Sequence, residues 1–230
     1  MDNKNNLKEN NFYDLRINYQ NPPLREDHLH PSPITFFQQW FQEAQEAKEI
    51  EPNGMVFSSM IEGSPWRVRS RVVLLKEIEE DQFIFYSSLS GPKGREITQH
   101  ACGSLNFWWR VLHRQVRIEG SVSLIDPQKN QNYFSSRPRE SQLAVLTKNQ
   151  SELLSSRDEL LTKYKETTEQ WKNTSSLPCP SNWGGLALTP NYFEFWQGQP
   201  NRLHDRLVYE KVVSPERNAV GHWKIYRLSP

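Results

Sequence analysis

The sequence predicts an α+β domain, an antiparallel β-barrel or sandwich with helices packed against it. Two observations carry the prediction. Between Met55 and Asp126, segments rich in β-branched and aromatic residues follow one another at short spacing, which favours antiparallel strands over βαβ units. A helical stretch then runs, with breaks, from Asp126-Pro127 to about Lys172, and more strand-like segments follow it.

Taken in order, residues 1–23 read as a polar, mobile arm ending in Asn21-Pro22-Pro23, and 24–230 as a single domain. Tyr13, Leu15, Ile17 and Tyr19 alternate within the arm, a pattern suited to an extended segment. Ser32-Pro33 is a helix cap followed by proline in the first turn, and Ile34, Phe37, Phe41 and Ala44 continue an amphipathic helix to about Lys48. Strands are predicted over Met55–Met60, Trp66–Leu75, Phe83–Ser87, Ser104–Arg110 and Gln115–Ile125. Turns fall at Glu62–Pro65 and Glu79–Asp81, and a short helix at Lys93–Ala101. After the Ser/Pro-rich loop Asn173–Ser181, further strands are predicted at Leu186–Thr189, Tyr192–Trp196, Leu207–Val213 and Trp223–Leu228.

The 230 residues carry 28 Lys+Arg and 27 Asp+Glu, a net charge of +1, so bulk polyanion binding is disfavoured. Trp108, Trp109 and Arg110 offer stacking platforms, but a nucleic-acid partner would want more positive charge. No run approaches ~18 apolar residues, and Met1–Asn11 lacks the apolar stretch of a secretory signal. Cys102 and Cys179 supply neither a disulfide framework nor a four-ligand zinc site, and they point to a reducing, cytoplasmic compartment. Six scattered histidines show no metal-ligand spacing.

Three constellations are suited to chemistry. Arg71, Lys76, Lys93, Arg114 and Arg117 crowd one predicted β region, where arginine suits bidentate phosphate contacts; a solvated strand face is the alternative. GxGxxG and GxxxxGK[ST] are both absent, so a phosphate here would be held by side chains. Tyr133 and Arg137, four apart on a predicted helix, converge with Ser141 as a phosphate clamp, against the alternative of a packing tyrosine and a surface arginine. If Arg202–Arg206 is extended, Arg202, His204 and Arg206 share a face, and the two cations depress the imidazole pKa. Ion pairing with Asp205 and Glu194 is the competing role.

At these residues the chain resembles the pyridoxine/pyridoxamine 5′-phosphate oxidase family. The resemblance is carried, in family order, by Arg71-Val-Val-Leu-Leu-Lys76, Arg114-Gln-Val-Arg-Ile-Glu-Gly120, Tyr133-Phe-Ser-Ser-Arg-Pro138, Ser141-Gln142, Gln150-Ser151, Trp183-Gly-Gly185, Glu194-Phe-Trp-Gln-Gly198 and Arg202-Leu-His-Asp-Arg206. It implies an FMN-binding split β-barrel, antiparallel and Greek-key-like, with flanking helices, forming a homodimer with FMN at the subunit interface. By position, Arg71, Val72, Val73, Leu74, Tyr86, Ser87, Lys93, Gln115, Gln150, Ser151, Trp196 and Arg206 would bind FMN, some from the partner chain. Lys76, Tyr133, Arg137 and Ser141 would hold the substrate phosphate, and Arg202, Leu203 and His204 would meet the substrate, with Arg202 and His204 in the catalytic roles.

The resemblance further implies oxidation of pyridoxamine or pyridoxine 5′-phosphate to pyridoxal 5′-phosphate. Hydride would pass from C4′ to flavin N5, with reoxidation by O2 to H2O2. The alternative is a non-catalytic relative that binds FMN or pyridoxal phosphate. Two departures stand out. Pro92 replaces a basic residue before Lys93, removing one phosphate donor, and Leu143-Ala144-Val145 replaces the common Ile-Gly-Ala.

Overall fold

The computed structural model describes residues 17–61, 63, 65–91, 96–97, 100–147, 151–212 and 222–230. Among the described residues, nine strands form one antiparallel sheet: β1 (Gly54–Ile61), β2 (Arg67–Leu74), β3 (Glu77–Glu79), β4 (Gln82–Ser88), β5 (Cys102–Trp109), β6 (Arg114–Leu124), β7 (Trp183–Gln197), β8 (Asp205–Val212) and β9 (His222–Arg227). The order β2-β1-β5-β6-β7-β4-β3, with β8 on β7 and β9 on β8, skips between non-consecutive neighbours and is not a simple meander. The sheet curls into a split barrel: just past β2, the Lys76 N–H donates to Ile84 O on β4 at 2.9 Å.

Helix α1 (Pro33–Glu46) begins as predicted, with Ser32 Oγ accepting the Thr35 N–H. It drives Phe36, Phe37 and Trp40 into the barrel. Phe37 is fully buried, its ring 5.0 Å from those of Phe83 and Phe107. Each such phenylalanine contributes about 1.5–3 kcal/mol by leaving water, which is how a chain of only 36% hydrophobic residues fills its core.

The middle region is three helices: α2 (Pro127–Ser136), α3 (Arg139–Thr147) and α4 (Arg157–Gln170). A second apolar cluster of Phe134, Leu143, Leu177 and Trp183 seats α2 and α3 on β7.

Several expectations are corrected. Leu186–Thr189 and Tyr192–Trp196 are halves of one strand, β7. Pro190, which has no N–H to donate, sits where the β6–β7 register shifts between Glu119 and Gly120. Glu79 belongs to β3, and the turn is Glu80-Asp81, both at positive φ. Arg137 is not on the helix of Tyr133: α2 ends at Ser136 and Arg137 is its extended cap. Arg202–Arg206 is not extended throughout, because Arg202 ends a 3-10 turn with φ 62° and β8 begins only at Asp205.

Candidate active site

A cavity of about 530 Å³ opens between β2, β4 and the α2–α3 junction. Its wall gathers residues far apart in sequence: Val72, Val73, Leu74 and Lys76 from β2 and its end, Tyr86 and Ser87 from β4, and Tyr133, Arg137 and Ser141 from the helices. All nine were predicted site residues, drawn from both the cofactor and the substrate sets. Ala144 also lines the cavity, within the continuous helix α3.

Local structure explains the convergence. Asp126 caps α2 by accepting the Gln128 and Lys129 N–H groups, and about two turns of α2 then carry Tyr133 to the cavity. The chain breaks at Arg137-Pro138, and Pro138 O accepts the Ser141 and Gln142 N–H groups at the start of α3. Gln142, buried, donates back to Arg137 O at 2.7 Å and so fixes the backbone that aims the arginine. Tyr86, Tyr133 and Trp183 form a stack, with Tyr86 and Tyr133 centroids 3.8 Å apart. Gly185 lets the strand pass this stack: a Cβ there would overlap Ile125 and come within 3.0 Å of the Tyr86 ring.

The electrostatics of the cavity suit an anion. Arg137 Nη1 is buried without a hydrogen-bond partner among the described residues, and burial lowers the Arg137 pKa. Lys76 is exposed and has no ion-pair partner among the described residues. Burial pushes the Tyr86 phenol up to about 12 and raises that of Tyr133, so both remain neutral hydroxyl donors.

A second group forms around the β7–β8 turn. The Trp196 ring lies 4.7 Å from that of His204, and Tyr19 packs 5.7 Å from His204 and 4.6 Å from His113. His204 Nδ1 accepts the Gln199 N–H at 3.1 Å. The His204 pKa is lowered, as predicted, but burial is the larger cause and Arg202 the second. Tyr19, Arg202 and His204 line a small cavity of their own, and Leu203 is exposed beside them. Arg206 turns to buried Glu194, with Nε–Oε1 at 2.7 Å, the ion pairing that competed with a ligand role. Gln115 pairs across the sheet with Trp196, and Ser151 is exposed at φ 69°.

Not all predicted residues meet. The larger cavity includes none of Gln115, Ser151, Trp196, Arg202, Leu203, His204 or Arg206. Arg71 shares a face of β2 with Val73 but does not line the cavity; its guanidinium bonds Glu96. Lys93 and Gln150 lie outside the described residues, as does Pro92. Arg114 and Arg117, in the predicted basic block, serve elsewhere: Arg114 pairs with Glu43 over the Trp40 ring, and Arg117 with Glu194. Sequence reasoning missed Gln142 and Trp183 as supports of Arg137, although both lay in quoted motifs. Glu96 carried no signal in the sequence.

Residues 41–171 match the family described as pyridoxamine 5′-phosphate oxidase, and 183–230 match the pyridoxine 5′-phosphate oxidase C-terminal dimerisation region. The pyridoxine/pyridoxamine 5′-phosphate oxidase of Leptospira biflexa is 40% identical over 222 residues, covering 96% of this chain and all of that one. The chloroplastic pyridoxine/pyridoxamine 5′-phosphate oxidase 1 of Arabidopsis thaliana is 41% identical over 216 residues; the match covers 94% of this chain but only 40% of the longer plant protein. Among solved structures, PhzG from Burkholderia lata, in complex with tetrahydrophenazine-1-carboxylic acid, aligns with a TM-score of 0.78 and 28% identity over 89% of this chain and 95% of its own. The chain belongs to the pyridoxine/pyridoxamine 5′-phosphate oxidase family.

Proposed function

We propose that this chain is an FMN-dependent oxidase that converts pyridoxamine 5′-phosphate or pyridoxine 5′-phosphate to pyridoxal 5′-phosphate. The observation that carries the reading is Arg137 Nη1, buried with no hydrogen-bond partner among the described residues, in a cavity shared with Lys76, Tyr133 and Ser141. Two cations and two hydroxyls, with no carboxylate partner among the described residues, suit a phosphate monoester dianion. They favour that substrate over a non-phosphorylated carboxylic acid such as the one bound to PhzG.

The residues also fit a flavin. Val72, Val73 and Leu74 supply an apolar wall beside the polar groups, with Tyr86 and Ser87 opposite. Together with Arg71, Lys93, Gln115, Gln150, Ser151, Trp196 and Arg206 they are the proposed FMN-binding set. When bound, FMN supplies a two-electron acceptor for hydride from the substrate C4′, with dioxygen as the final oxidant and hydrogen peroxide as product.

The chain's own share is orientation. Lys76, Tyr133, Arg137 and Ser141 anchor the phosphate, and this remote binding energy fixes where C4′ lies. Arg202 covers the substrate ring and steadies developing charge. His204, neutral at pH 7 with Nδ1 occupied by the Gln199 N–H, presents Nε2 to the substrate as an orienting or proton-relaying group. Leu203 completes that contact.

The two groups line separate cavities of one chain, and we propose that a homodimer joins them, with FMN at the subunit interface. The match to a dimerisation region supports this, as do the exposed apolar side chains Val68, Val72, Trp108 and Leu203. Residues 24–230 act as one domain preceded by an arm, 1–23. The described end of that arm is bonded to the barrel through Asn21, whose Nδ2 donates to Leu112 O and Gly198 O. No described helix is long and apolar enough to cross a membrane, and both cysteines are free; we place the protein in the cytoplasm, with no nucleic-acid or membrane partner.

The test is direct. The purified protein should be yellow with bound FMN, and should oxidise pyridoxamine 5′-phosphate with stoichiometric peroxide release. A protein that binds FMN and the vitamer phosphate tightly yet never turns over in air would instead be the non-catalytic relative.

A further inference from the structure

On β2, Arg69 and Arg71 lie two residues apart and project from the same face. Both reach one carboxylate. Arg69 Nη1 donates to Glu96 Oε1 at 2.5 Å and Arg71 Nη2 to Glu96 Oε2 at 2.8 Å. Ser59, on β1 directly opposite Arg69, donates its hydroxyl to Glu96 Oε2 and accepts from Arg71 Nη1 at 2.6 Å. The Glu96 side chain is only 5% exposed and that of Arg71 18%. Beneath the Arg71 guanidinium lies the ring of Phe57, its register partner on β1, at 5.4 Å.

A carboxylate is tolerated at such depth only when paired and hydrogen-bonded, and here every partner serves that end. The cluster holds one negative and two positive side chains, so a positive surplus remains. Of the five N–H donors of Arg71, Nη1 gives to Ser59 Oγ and Arg69 O, and Nη2 gives one to Glu96. Among the described residues, none takes the Nε–H or the second Nη2–H. Arg71 thus sits with one edge pinned and the other available, at the head of the segment whose next three residues line the large cavity.

We infer that Glu96 is a positioning residue for FMN: with Ser59, it holds Arg71 in one orientation so that the guanidinium meets the flavin phosphate already ordered. The inference rests on the FMN reading above. Its sign follows from the charges. A carboxylate near a phosphate would oppose binding were it alone, but Arg69 neutralises it, and what Glu96 adds is orientation. The same logic confines the effect to the phosphate: a flavin lacking that group gains nothing from a fixed Arg71.

The experiment titrates flavin-stripped full-length protein with FMN and, separately, with riboflavin, following quenching of flavin fluorescence, with thermal unfolding of each apoprotein alongside. Glu96→Gln should raise the FMN Kd about tenfold and leave the riboflavin Kd unchanged, as expected for about one charge-assisted hydrogen bond. Ser59→Ala should act in the same direction by about threefold, and it carries the test if Glu96→Gln does not fold. In an Arg71→Ala background, Glu96→Gln should produce no further change in the FMN Kd. Equal weakening of both flavins, an unchanged or tighter FMN Kd, or an effect that persists without Arg71 overturns the inference. A parent protein that binds riboflavin and FMN equally removes the phosphate contact on which it depends, and one that binds neither flavin overturns the FMN reading as well.

Discussion

The guanidinium of Arg137 lies over the indole of Trp183, 5.0 Å from the ring centroid. Trp183 opens β7, whereas Arg137 caps α2, so the contact ties the barrel to the helical layer at the cavity wall. The ring also stacks behind Tyr86 and Tyr133. One side chain therefore supports three groups of the site.

Removing that support should be felt in substrate affinity. Trp183→Leu removes a cation–π contact worth about 0.5–2 kcal/mol, so KM for pyridoxamine 5′-phosphate should rise about three- to tenfold with a smaller change in kcat. Trp183→Phe should recover part of the loss. Steady-state kinetics at saturating FMN decide it; a fall in kcat alone would place Trp183 elsewhere in the reaction.

Arg137 and Arg202 should separate kinetically. On the proposed placement of the substrate, Arg137→Ala would delete a charge-assisted phosphate contact and should raise KM about ten- to hundredfold. Arg202→Ala should lower kcat by about an order of magnitude or more, because the contact proposed for it is to the reacting ring rather than to the anchor. If both variants match the parent enzyme, the substrate has been placed wrongly.

His204 makes stability depend on pH. Its folded pKa lies below the ordinary 6.5, chiefly through burial, so the unfolded chain binds the proton more readily. The neutral imidazole is fully compatible with the fold above pH 6.5. Its contribution is lost as pH falls below that value and through the folded pKa. Urea midpoints at pH 7.5 and 5.5 should therefore differ less in His204→Gln than in the parent. Equal differences would show that another group governs the acid limb.

Gly198 packs against the end of the N-terminal arm. A Cβ there would come within 2.7 Å of the Tyr19 ring, close enough that the ring must move. Gly198→Ala should loosen residues 17–23 and speed tryptic cleavage after Arg25 several-fold, on the order expected for a lost local contact. Mass spectrometry of the early fragments reads the site, and unchanged cleavage would mean that the hydrogen bonds of Asn21 and of Pro22 O secure the segment without Tyr19.

Much of this protein was legible in one dimension. The Ser32 cap, the inward phenylalanines of α1 and the strand periodicity around Phe57, Phe85 and Phe107 are local or short-period signals, and the matching elements formed. Motif order also named the nine residues that meet in the large cavity. Tertiary structure alone decided what those side chains lean on. Glu96 reaches Arg71 across 25 residues, Trp183 reaches Arg137 across 46, and Tyr19 reaches His204 from the far end of the chain. Such partners share no spacing, because a strand period or a helical turn records only neighbours in sequence, whereas burial of a charge selects whichever partner the sheet order brings near. The turn at Arg202 shows the same limit from the other side: an extended chain would have set Arg202, His204 and Arg206 on one face, and the close of the β7–β8 connection imposed positive φ instead.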